Sequence, residues 1–307
     1  MTRPQMLSSP LPATISVQDF DAIHDDVACW RELVGSIAAA HSPEPVTPME
    51  AGTVLVALVG QELVVKLYPP FLRDHFEFEA AVLCRVHGRL SVPTPKLVAR
   101  GERDGWPYLL MSQLCGEPMT RCWPTLGEDE KCAALQAIGR VAAEVHALPA
   151  AGVAELAPDW TEFLQRQRAM CRRRQEYGGL PAHLLAQLEE FIAGEVAAGA
   201  PVILTGEYTP MNLLYRNGLA GMFDFGDGLV GPAEYDWLGP LCFLAAGHRA
   251  RREAFFAGYG VQPAGAWRTR LLRMLLLHRY SNLKVQVAAA GWESARTFEE
   301  LAEFIWP

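Results

Sequence analysis

The chain has 307 residues, of which 50% are hydrophobic and 20% are charged, and its formal net charge is −8. This length is sufficient for two lobes with a sizeable core, and the acidic balance argues against a nucleic-acid partner. No apolar run reaches the length of a membrane span, and the N-terminus lacks the apolar segment of a secretory signal, so we expect no membrane association. The seven cysteines form no C-x-x-C pair, which indicates a reducing compartment, the cytoplasm, and argues against a zinc site.

The N-terminal part of the chain predicts one helix followed by a small antiparallel sheet. Helical periodicity covers residues 18–40, and a proline-rich link follows over 42–48. Strands are predicted where apolar and β-branched residues lie between turn residues, at 52–59, 62–68, 96–101 and 107–113. An amphipathic helix is predicted over 72–88, because its apolar residues fall on one face.

From residue 128 onward helical periodicity dominates. The predicted helices cover 128–148, 160–176, 181–198, 233–246 and 266–290. The second of them carries a cluster of arginines, which we interpret as a solvated helix face, with partner binding as the alternative. The pattern therefore predicts an α+β protein with a small sheet-containing part and a mostly helical part.

One stretch of the helical part, LTGEYTPMNLLYRNGLAGMFDF at 204–225, carries the residues for a reaction. The apolar run 201–204 predicts a short buried strand, and Gly206 and Pro210 make 205–211 a loop. Asn217-Gly218 lies between two apolar runs, which predicts a hairpin with a type I′ turn.

This hairpin would fold Asp224 back toward Asn212. Their carboxylate and carboxamide oxygens suit a hard cation such as Mg²⁺. A further carboxylate, Glu207, lies on the loop, where it could orient an attacking hydroxyl. These three groups at this spacing are what phosphoryl transfer from a nucleotide requires.

The same stretch resembles the catalytic and metal-binding loops of the aminoglycoside phosphotransferase family. That family's loop reads H-G-D-x-x-x-x-N and is followed by I-D-[WFL], whereas this chain has T-G-E-x-x-x-x-N followed by F-D-F. Thr205 therefore replaces His, and Glu207 replaces the catalytic Asp. Within the family this chain most closely resembles the hygromycin B phosphotransferases. The segments that carry this resemblance are VVKLY, GERDGWPYLLMS and the tail ELAEFIWP. The similarity covers most of residues 25–307.

The resemblance implies a two-lobed protein-kinase-like fold of the α+β class. Residues 1–114 would form an N-terminal nucleotide-binding lobe with a hinge at 112–114, and 115–307 a helical lobe with the catalytic and metal loops. ATP or GTP and Mg²⁺ are the implied cofactors, and the acceptor is a hydroxylated small molecule, such as an aminoglycoside-like cation. We expect a cytoplasmic monomer or homodimer.

The resemblance also assigns roles to residues of the N-terminal lobe. Lys66 would pair with the nucleotide phosphates, although a lysine in such a strand is as often an edge or surface charge. Glu79 would clamp it, favoured over Glu77 because Glu79 begins an E-x-x-x-L pattern; a solvated helix charge is the alternative for either. The remaining implied nucleotide contacts are Gly52 and Thr53 in the phosphate-covering loop, Met111 behind the base, and Ser112 and Leu114 at the hinge. A plain turn and a core strand are the alternatives for these two groups.

Two residues of the helical lobe have competing interpretations. Asp236 either braces the catalytic loop or caps the following helix, and the sequence favours the cap because Asp is common at helix starts. Glu207 is compatible with an active small-molecule kinase, with a nucleotide-binding pseudokinase that has lost turnover, or with another nucleotide-dependent transfer. Its added methylene moves the carboxylate unless the backbone compensates.

Overall fold

The computed structural model of the chain describes residues 11–49, 52–196, 199–206 and 208–307. By their internal contacts the residues fall into two compact units. The first comprises the residues up to His87 together with Pro95–Leu114, and the second comprises Gly88–Thr94 together with Cys115–Pro307. The segment Gly88–Thr94 thus belongs with the second unit, whereas the sequence prediction drew a single boundary after residue 114.

The first unit is built on a five-stranded antiparallel sheet. Its strands are β1 (Val46–Met49), β2 (Leu55–Val59), β3 (Leu63–Leu67), β4 (Leu97–Arg103) and β5 (Trp106–Ser112), in the spatial order β1-β2-β3-β5-β4. The prediction of a link over 42–48 is wrong where β1 begins. Pro48 is tolerated there because β1 is an edge strand, where a missing N–H costs little.

Three α-helices complete the described part of the first unit: α1 (Val17–Asp25), α2 (Val27–Ala39) and α3 (Arg73–Val86). The single helix predicted over 18–40 is two helices, because Asp26 ends α1 and its side chain accepts a hydrogen bond from Ala28 N at 3.2 Å, capping α2. Trp30 of α2 packs in one core with Val65 and Leu67 of β3. Since side chains alternate along a strand, Lys66 points to the opposite face of the sheet.

The second unit is mostly helical. Its helices are α4 (Met119–Cys122), α5 (Glu128–His146), α6 (Trp160–Tyr177), α7 (Ala182–Leu185), α8 (Leu188–Ala193), α9 (Glu234–Phe243), α10 (Arg249–Tyr259), α11 (Trp267–Leu276), α12 (Leu283–Gln286) and α13 (Phe298–Ile305). Two small sheets accompany them: β6 (Glu117–Pro118) with β8 (Leu213–Tyr215) and β9 (Leu219–Met222), and β7 (Val202–Leu204) with β10 (Leu229–Gly231).

Two of the predicted long helices are broken. The segment 181–198 contains α7 and α8, and α8 ends at Ala193 because Gly194 leaves the helical conformation with ψ of 172°. The segment 266–290 contains α11 and α12, and residues 277–282 between them form a turn whose side chains bind elsewhere in the unit. Among the helices that the structure describes, none has both the length and the apolar character needed to cross a membrane. The predicted α+β class is confirmed.

Candidate active site

The predicted catalytic loop connects β7 to β8, and Glu207 on this loop lies outside the described residues. The two residues before it are held by one carboxylate: Thr205 N donates to Asp236 Oδ2 at 2.9 Å, and Gly206 N donates to Asp236 Oδ1 at 2.8 Å. The preference for Asp236 as a helix cap is wrong, because no side chain caps α9 and both oxygens of Asp236 bind the loop. Asp236 therefore braces the predicted catalytic loop, as the alternative interpretation held.

Gly206 has a backbone conformation that few other residues adopt. Its φ is +76°, and a Cβ at this position would lie 2.7 Å from the carbonyl oxygen of Asp227. The loop thus passes so close to the segment after β9 that only glycine fits without displacement. This close approach fixes the backbone directly before Glu207.

His278 also forms a hydrogen bond with the backbone of Gly206. Burial lowers the pKa of His278 to about 3, and the nearby Arg279 and Arg174 cations act in the same direction, while a hydrogen bond with the Gly206 backbone opposes them. The ring is therefore neutral, with one donor and one acceptor nitrogen. Its Nδ1 accepts a hydrogen bond from Tyr280 N at 3.2 Å, which leaves Nε2 as the donor toward Gly206.

Helix α9 also supports the loop after Glu207. Gly239 lies three residues beyond Asp236 and hence on the same helix face. A Cβ at Gly239 would lie 2.8 Å from the carbonyl oxygen of Tyr208, whose side chain is fully buried. One face of α9 therefore contacts the loop on both sides of the predicted catalytic residue.

The sequence singled out neither His278 nor a second histidine of this region, His146 at the end of α5. His146 Nε2 lies 3.0 Å from Asp236 Oδ2, and His146 Nδ1 lies 2.7 Å from the hydroxyl of Tyr259. The partners His146 and Asp236 are 90 residues apart in the chain, and no spacing pattern among the histidines indicates the contact. Only the fold brings these groups to the loop.

The hairpin brings Asn212 close to Asp224 through the backbone. Leu213 pairs with Met222 in the β8–β9 ladder, and Phe223 N donates to Asn212 O at 3.1 Å, so Asp224 directly follows a residue bonded to Asn212. The Asn212 side chain is buried and that of Asp224 is half-buried. Asp224 has φ of +68°, a left-handed conformation that Asp tolerates better than most residues.

The turn of this hairpin differs from the predicted type. Three residues, 216–218, separate β8 from β9, and the register shifts between Leu214 and Tyr215, so the turn is not a two-residue type I′. Asn217 and Gly218 nevertheless both have positive φ, 57° and 137°. The extra residue is accommodated as a bulge, which short hairpins use readily.

A buried ion pair is present in the first unit. Lys66 Nζ lies 2.8 Å and 2.9 Å from the two carboxylate oxygens of Glu79, and the Tyr68 hydroxyl also donates to Glu79. Both charged side chains are at most 9% exposed. The predicted pairing of Lys66 with Glu79 is confirmed. Glu77, whose carboxylate lies 3.7 Å from the Arg100 guanidinium, is partly exposed on α3.

The other predicted nucleotide contacts lie directly before β2 and at the end of β5. Gly52 and Thr53 are exposed directly before β2, and Gly52 has φ of +139°. Met111 is buried in β5. At the end of this strand Ser112 N donates to Lys96 O at 2.9 Å, and Lys96 N donates to the Ser112 hydroxyl at 2.9 Å. Neither backbone group of Leu114 makes a hydrogen bond within the part of the chain that the structure describes. The residues predicted from the sequence thus separate into a lysine-centred group in the first unit and a loop-and-hairpin group in the second.

The chain is similar to one known protein family and to several solved structures. The sequence model of the phosphotransferase enzyme family matches residues 49–272. A search of the curated protein sequences finds no similar one.

Several solved structures share the fold. The streptomycin–ATP–APH(2")-IIa ternary complex is 19% identical with a TM-score of 0.65, over 90% of this chain and 98% of that one. The GDP complex of wild-type aminoglycoside 2'-phosphotransferase-IIIa is 17% identical with a TM-score of 0.66, over 89% and 96%. Macrolide 2'-phosphotransferase MphH from Brachybacterium faecium is 18% identical with a TM-score of 0.61, over 89% and 97%.

At these identities the structural likeness establishes the fold, which confirms the predicted kinase-like architecture. The family match extends over most of the chain and establishes the enzyme class, a small-molecule kinase. The chain belongs to the phosphotransferase enzyme family.

Proposed function

We propose that this enzyme transfers the γ-phosphoryl group of ATP or GTP to a hydroxyl group of a small molecule. Lys66 would hold the nucleotide phosphates, Asn212 and Asp224 would hold Mg²⁺, and Glu207 would orient the acceptor hydroxyl. Gly52, Thr53, Met111, Ser112 and Leu114 would complete the nucleotide site, with the unpaired backbone of Leu114 facing the base edge.

The observation that carries this proposal is the buried pair of Lys66 and Glu79. Taking both charges out of water costs about as much as their attraction returns, so such a pair is weak evidence for stability. Glu79 instead fixes the ammonium group of a lysine that lies on a rigid strand. A fixed cation of this kind is suited to a phosphate group.

The residues at the hairpin fit a magnesium ion. Asn212 and Asp224 offer oxygen ligands only, and Mg²⁺ is usually held by one or two protein groups together with nucleotide phosphates and water. Among the described residues there is no cluster of three or more His, Cys, Asp or Glu side chains that could hold a metal by itself. When bound with the nucleotide, Mg²⁺ would neutralise charge on the phosphate oxygens.

The chain's own residues would then position the reactants. The acceptor oxygen attacks the γ-phosphorus, a new P–O bond forms to the acceptor, and the bond to the β-phosphate oxygen breaks. The acceptor proton passes to Glu207, and the nucleoside diphosphate leaves. Because such transfers depend mainly on positioning, the bracing of Thr205 and Gly206 by Asp236 is central to the rate.

Two features bear on the acceptor. The relatives with solved structures include enzymes bound to streptomycin and gentamicin and a macrolide phosphotransferase, and the net charge of −8 is compatible with a cationic acceptor. However, the carboxylate of Asp227 accepts hydrogen bonds from Arg279 at 2.8 Å and from the Tyr280 hydroxyl at 2.9 Å. Because Arg279 neutralises this acid, acceptors with fewer basic amines than aminoglycosides, such as macrolides, belong in the same screen as aminoglycosides and hygromycin B.

The alternative is a nucleotide-binding pseudokinase, which rests on Glu207 in place of the family's Asp. Two substitutions separate the proposals. Glu207→Gln removes the charge with little change in shape, so an active enzyme should lose turnover and keep its ATP affinity. Glu207→Asp shortens the side chain, and lower activity in this variant would show that the loop is adapted to Glu. Binding of ATP without phosphorylation of any acceptor supports the pseudokinase.

Nucleotide binding is tested by thermal shift with Mg²⁺ and ATP. We expect Asp224→Ala to abolish the stabilisation that wild type shows. Asp129→Ala is the matched control, because Asp129 is an exposed aspartate in the first turn of α5. Equal stabilisation of wild type and Asp224→Ala would remove Asp224 from the site. We also propose a cytoplasmic monomer or homodimer, in keeping with seven cysteines that are all free thiols.

A further inference from the structure

A tyrosine directly after β3 contacts the buried ion pair of the first unit. Tyr68 lies two residues after Lys66, and side chains two residues apart on an extended chain point to the same face of a sheet. Its backbone stays bonded to β5, because Tyr68 N donates to Pro107 O at 2.8 Å. The side chain is fully buried, and its hydroxyl donates to Glu79 Oε2. Lys66 and Tyr68 therefore donate to the same carboxylate.

The ring of Tyr68 contacts the face of α3 that carries Glu79. It meets the ring of Phe76 edge-on, with the ring centroids 5.7 Å apart and the planes at 63°. Phe76 precedes Glu79 by three residues, so both side chains lie on one face of the helix. One tyrosine thus holds a single turn of α3 through a ring contact and through a hydrogen bond to a charged acceptor, which is stronger than one between neutral groups.

The hydroxyl of Tyr68 becomes important once a phosphate group approaches Lys66. The ammonium group has three N–H donors, and Lys66 Nζ lies 2.8 Å and 2.9 Å from the two oxygens of Glu79. Phosphate oxygens compete with Glu79 for these donors. A buried carboxylate that loses donors is destabilised, because water does not replace them. The Tyr68 hydroxyl reduces this cost, since it keeps Oε2 hydrogen-bonded while the ammonium group turns toward the phosphates.

We propose that Tyr68 is a positioning residue for the nucleotide phosphates: its hydroxyl retains Glu79 and the adjoining turn of α3 while Lys66 shares its ammonium group with the phosphates. This inference rests on the proposed role of Lys66 in nucleotide binding. Because Tyr68 acts through Glu79 and Lys66, its hydroxyl should matter for ligands that carry phosphate and not for adenosine. A residue that only stabilises the unit would affect both ligands.

One substitution, one control and one double variant test this role. Tyr68→Phe removes the hydroxyl and keeps the ring against Phe76. Tyr108→Phe is the matched control, because Tyr108 pairs with Leu67 in the β3–β5 ladder and packs against the core on the opposite face of the sheet. The double variant combines Tyr68→Phe with Glu79→Gln and shows whether the hydroxyl acts through the carboxylate.

Two measurements are made on the full chain. The first compares the Kd of Mg·ATP from isothermal titration with the Kd of adenosine from ligand-observed NMR, which detects weak binding. The second is hydrogen exchange of the α3 amides without nucleotide. In Tyr68→Phe we expect the Kd of Mg·ATP to rise roughly tenfold, the Kd of adenosine to change less than about twofold, and exchange at residues 76–79 to accelerate roughly tenfold, because one hydrogen bond to a charged group is lost.

The other variants make the result specific. Tyr108→Phe should match wild type in both measurements. In the Glu79→Gln background, Tyr68→Phe should change the Kd of Mg·ATP by less than about twofold, because the charge on which the hydroxyl acts is already gone. If wild type binds no ATP, the proposed function fails on that result, and the exchange data still decide whether Tyr68 holds the turn of α3 that carries Glu79.

The proposal is overturned if Tyr68→Phe binds Mg·ATP as tightly as wild type. It is equally overturned if the affinities for ATP and adenosine fall by the same factor, because that result shows a general loss of structure. A weakening of ATP binding that persists in full in the Glu79→Gln background also contradicts it, because the hydroxyl would then act on the nucleotide by another route.

Discussion

His278 should make the stability of this protein sensitive to mild acid. In the folded protein its pKa is lowered to about 3, first because the ring is buried and then because Arg279 and Arg174 lie nearby. In the unfolded chain a histidine titrates near 6.5. At a pH between these two pKa values, His278 is protonated in the unfolded chain and neutral in the folded protein, so a lower pH favours unfolding.

The size of the effect follows from the two pKa values. The contribution of His278 is complete above about pH 6.5 and decreases by about 1.4 kcal/mol for each pH unit below it, down to about pH 3. Between pH 7 and pH 5 this group alone should lower the free energy of unfolding by about 2 kcal/mol. His278→Gln cannot titrate, so the same pH change should cost this variant about 2 kcal/mol less than it costs wild type.

Urea denaturation at pH 7 and pH 5 measures this difference. Other groups contribute equally to both proteins, so the comparison of the two pH changes isolates His278. His183→Gln serves as the control for removing a histidine side chain from the same unit. An identical loss of stability in wild type and His278→Gln would show that His278 is not buried as a neutral ring, and the account of how Gly206 is held would fail.

Two further predictions concern the ion pair and the helix behind the loop. Lys66→Met and Glu79→Gln should each lower the free energy of unfolding by about 3–5 kcal/mol, because each single change leaves a buried polar partner without its hydrogen bonds. The double variant should lose clearly less than the sum of the two, and additive losses in urea denaturation would contradict the pairing. Lys66→Met should also weaken ATP binding. Gly239→Ala should lower turnover and cost about 1–3 kcal/mol, because its Cβ would lie 2.8 Å from Tyr208 O. Gly35→Ala, in a helix with nothing within 4 Å of the added Cβ, is its control and should be neutral or stabilising; equal effects of the two changes would rule out the loop contact.

The parts of the site that could be predicted are those with a local signature. The alternation around Lys66 indicates a strand, and the E-x-x-x-L pattern selects Glu79 over Glu77, so their pairing follows from two short segments. The positions of Asn212 and Asp224 likewise follow from one hairpin, although its turn has one residue more than predicted.

The supports of the loop could not be predicted because they depend on distant contacts. His146 meets Asp236 across 90 residues, and His278 reaches Gly206 from a turn within a stretch that reads as one helix. The sequence favours a helix cap for Asp236 because capping is inferred from neighbouring residues alone. In the fold both of its carboxylate oxygens instead accept hydrogen bonds from Thr205 N and Gly206 N. Strand β1 could not be predicted either, because it contains Pro48, and a proline is accepted in a strand only at the edge of a sheet.

Transfer of the γ-phosphoryl group of ATP, followed by ³¹P NMR over a panel of aminoglycosides, hygromycin B, macrolides and simpler amino alcohols, tests the central claim most directly. The account predicts Mg²⁺-dependent formation of a phosphate ester by wild type, which Asp224→Ala and Glu207→Gln both abolish while Asp129→Ala retains it. Ester formation that persists in Asp224→Ala and Glu207→Gln would place the chemistry elsewhere. Failure of wild type to bind ATP with Mg²⁺ present would contradict the account and leave the likeness to these phosphotransferases as one of fold alone.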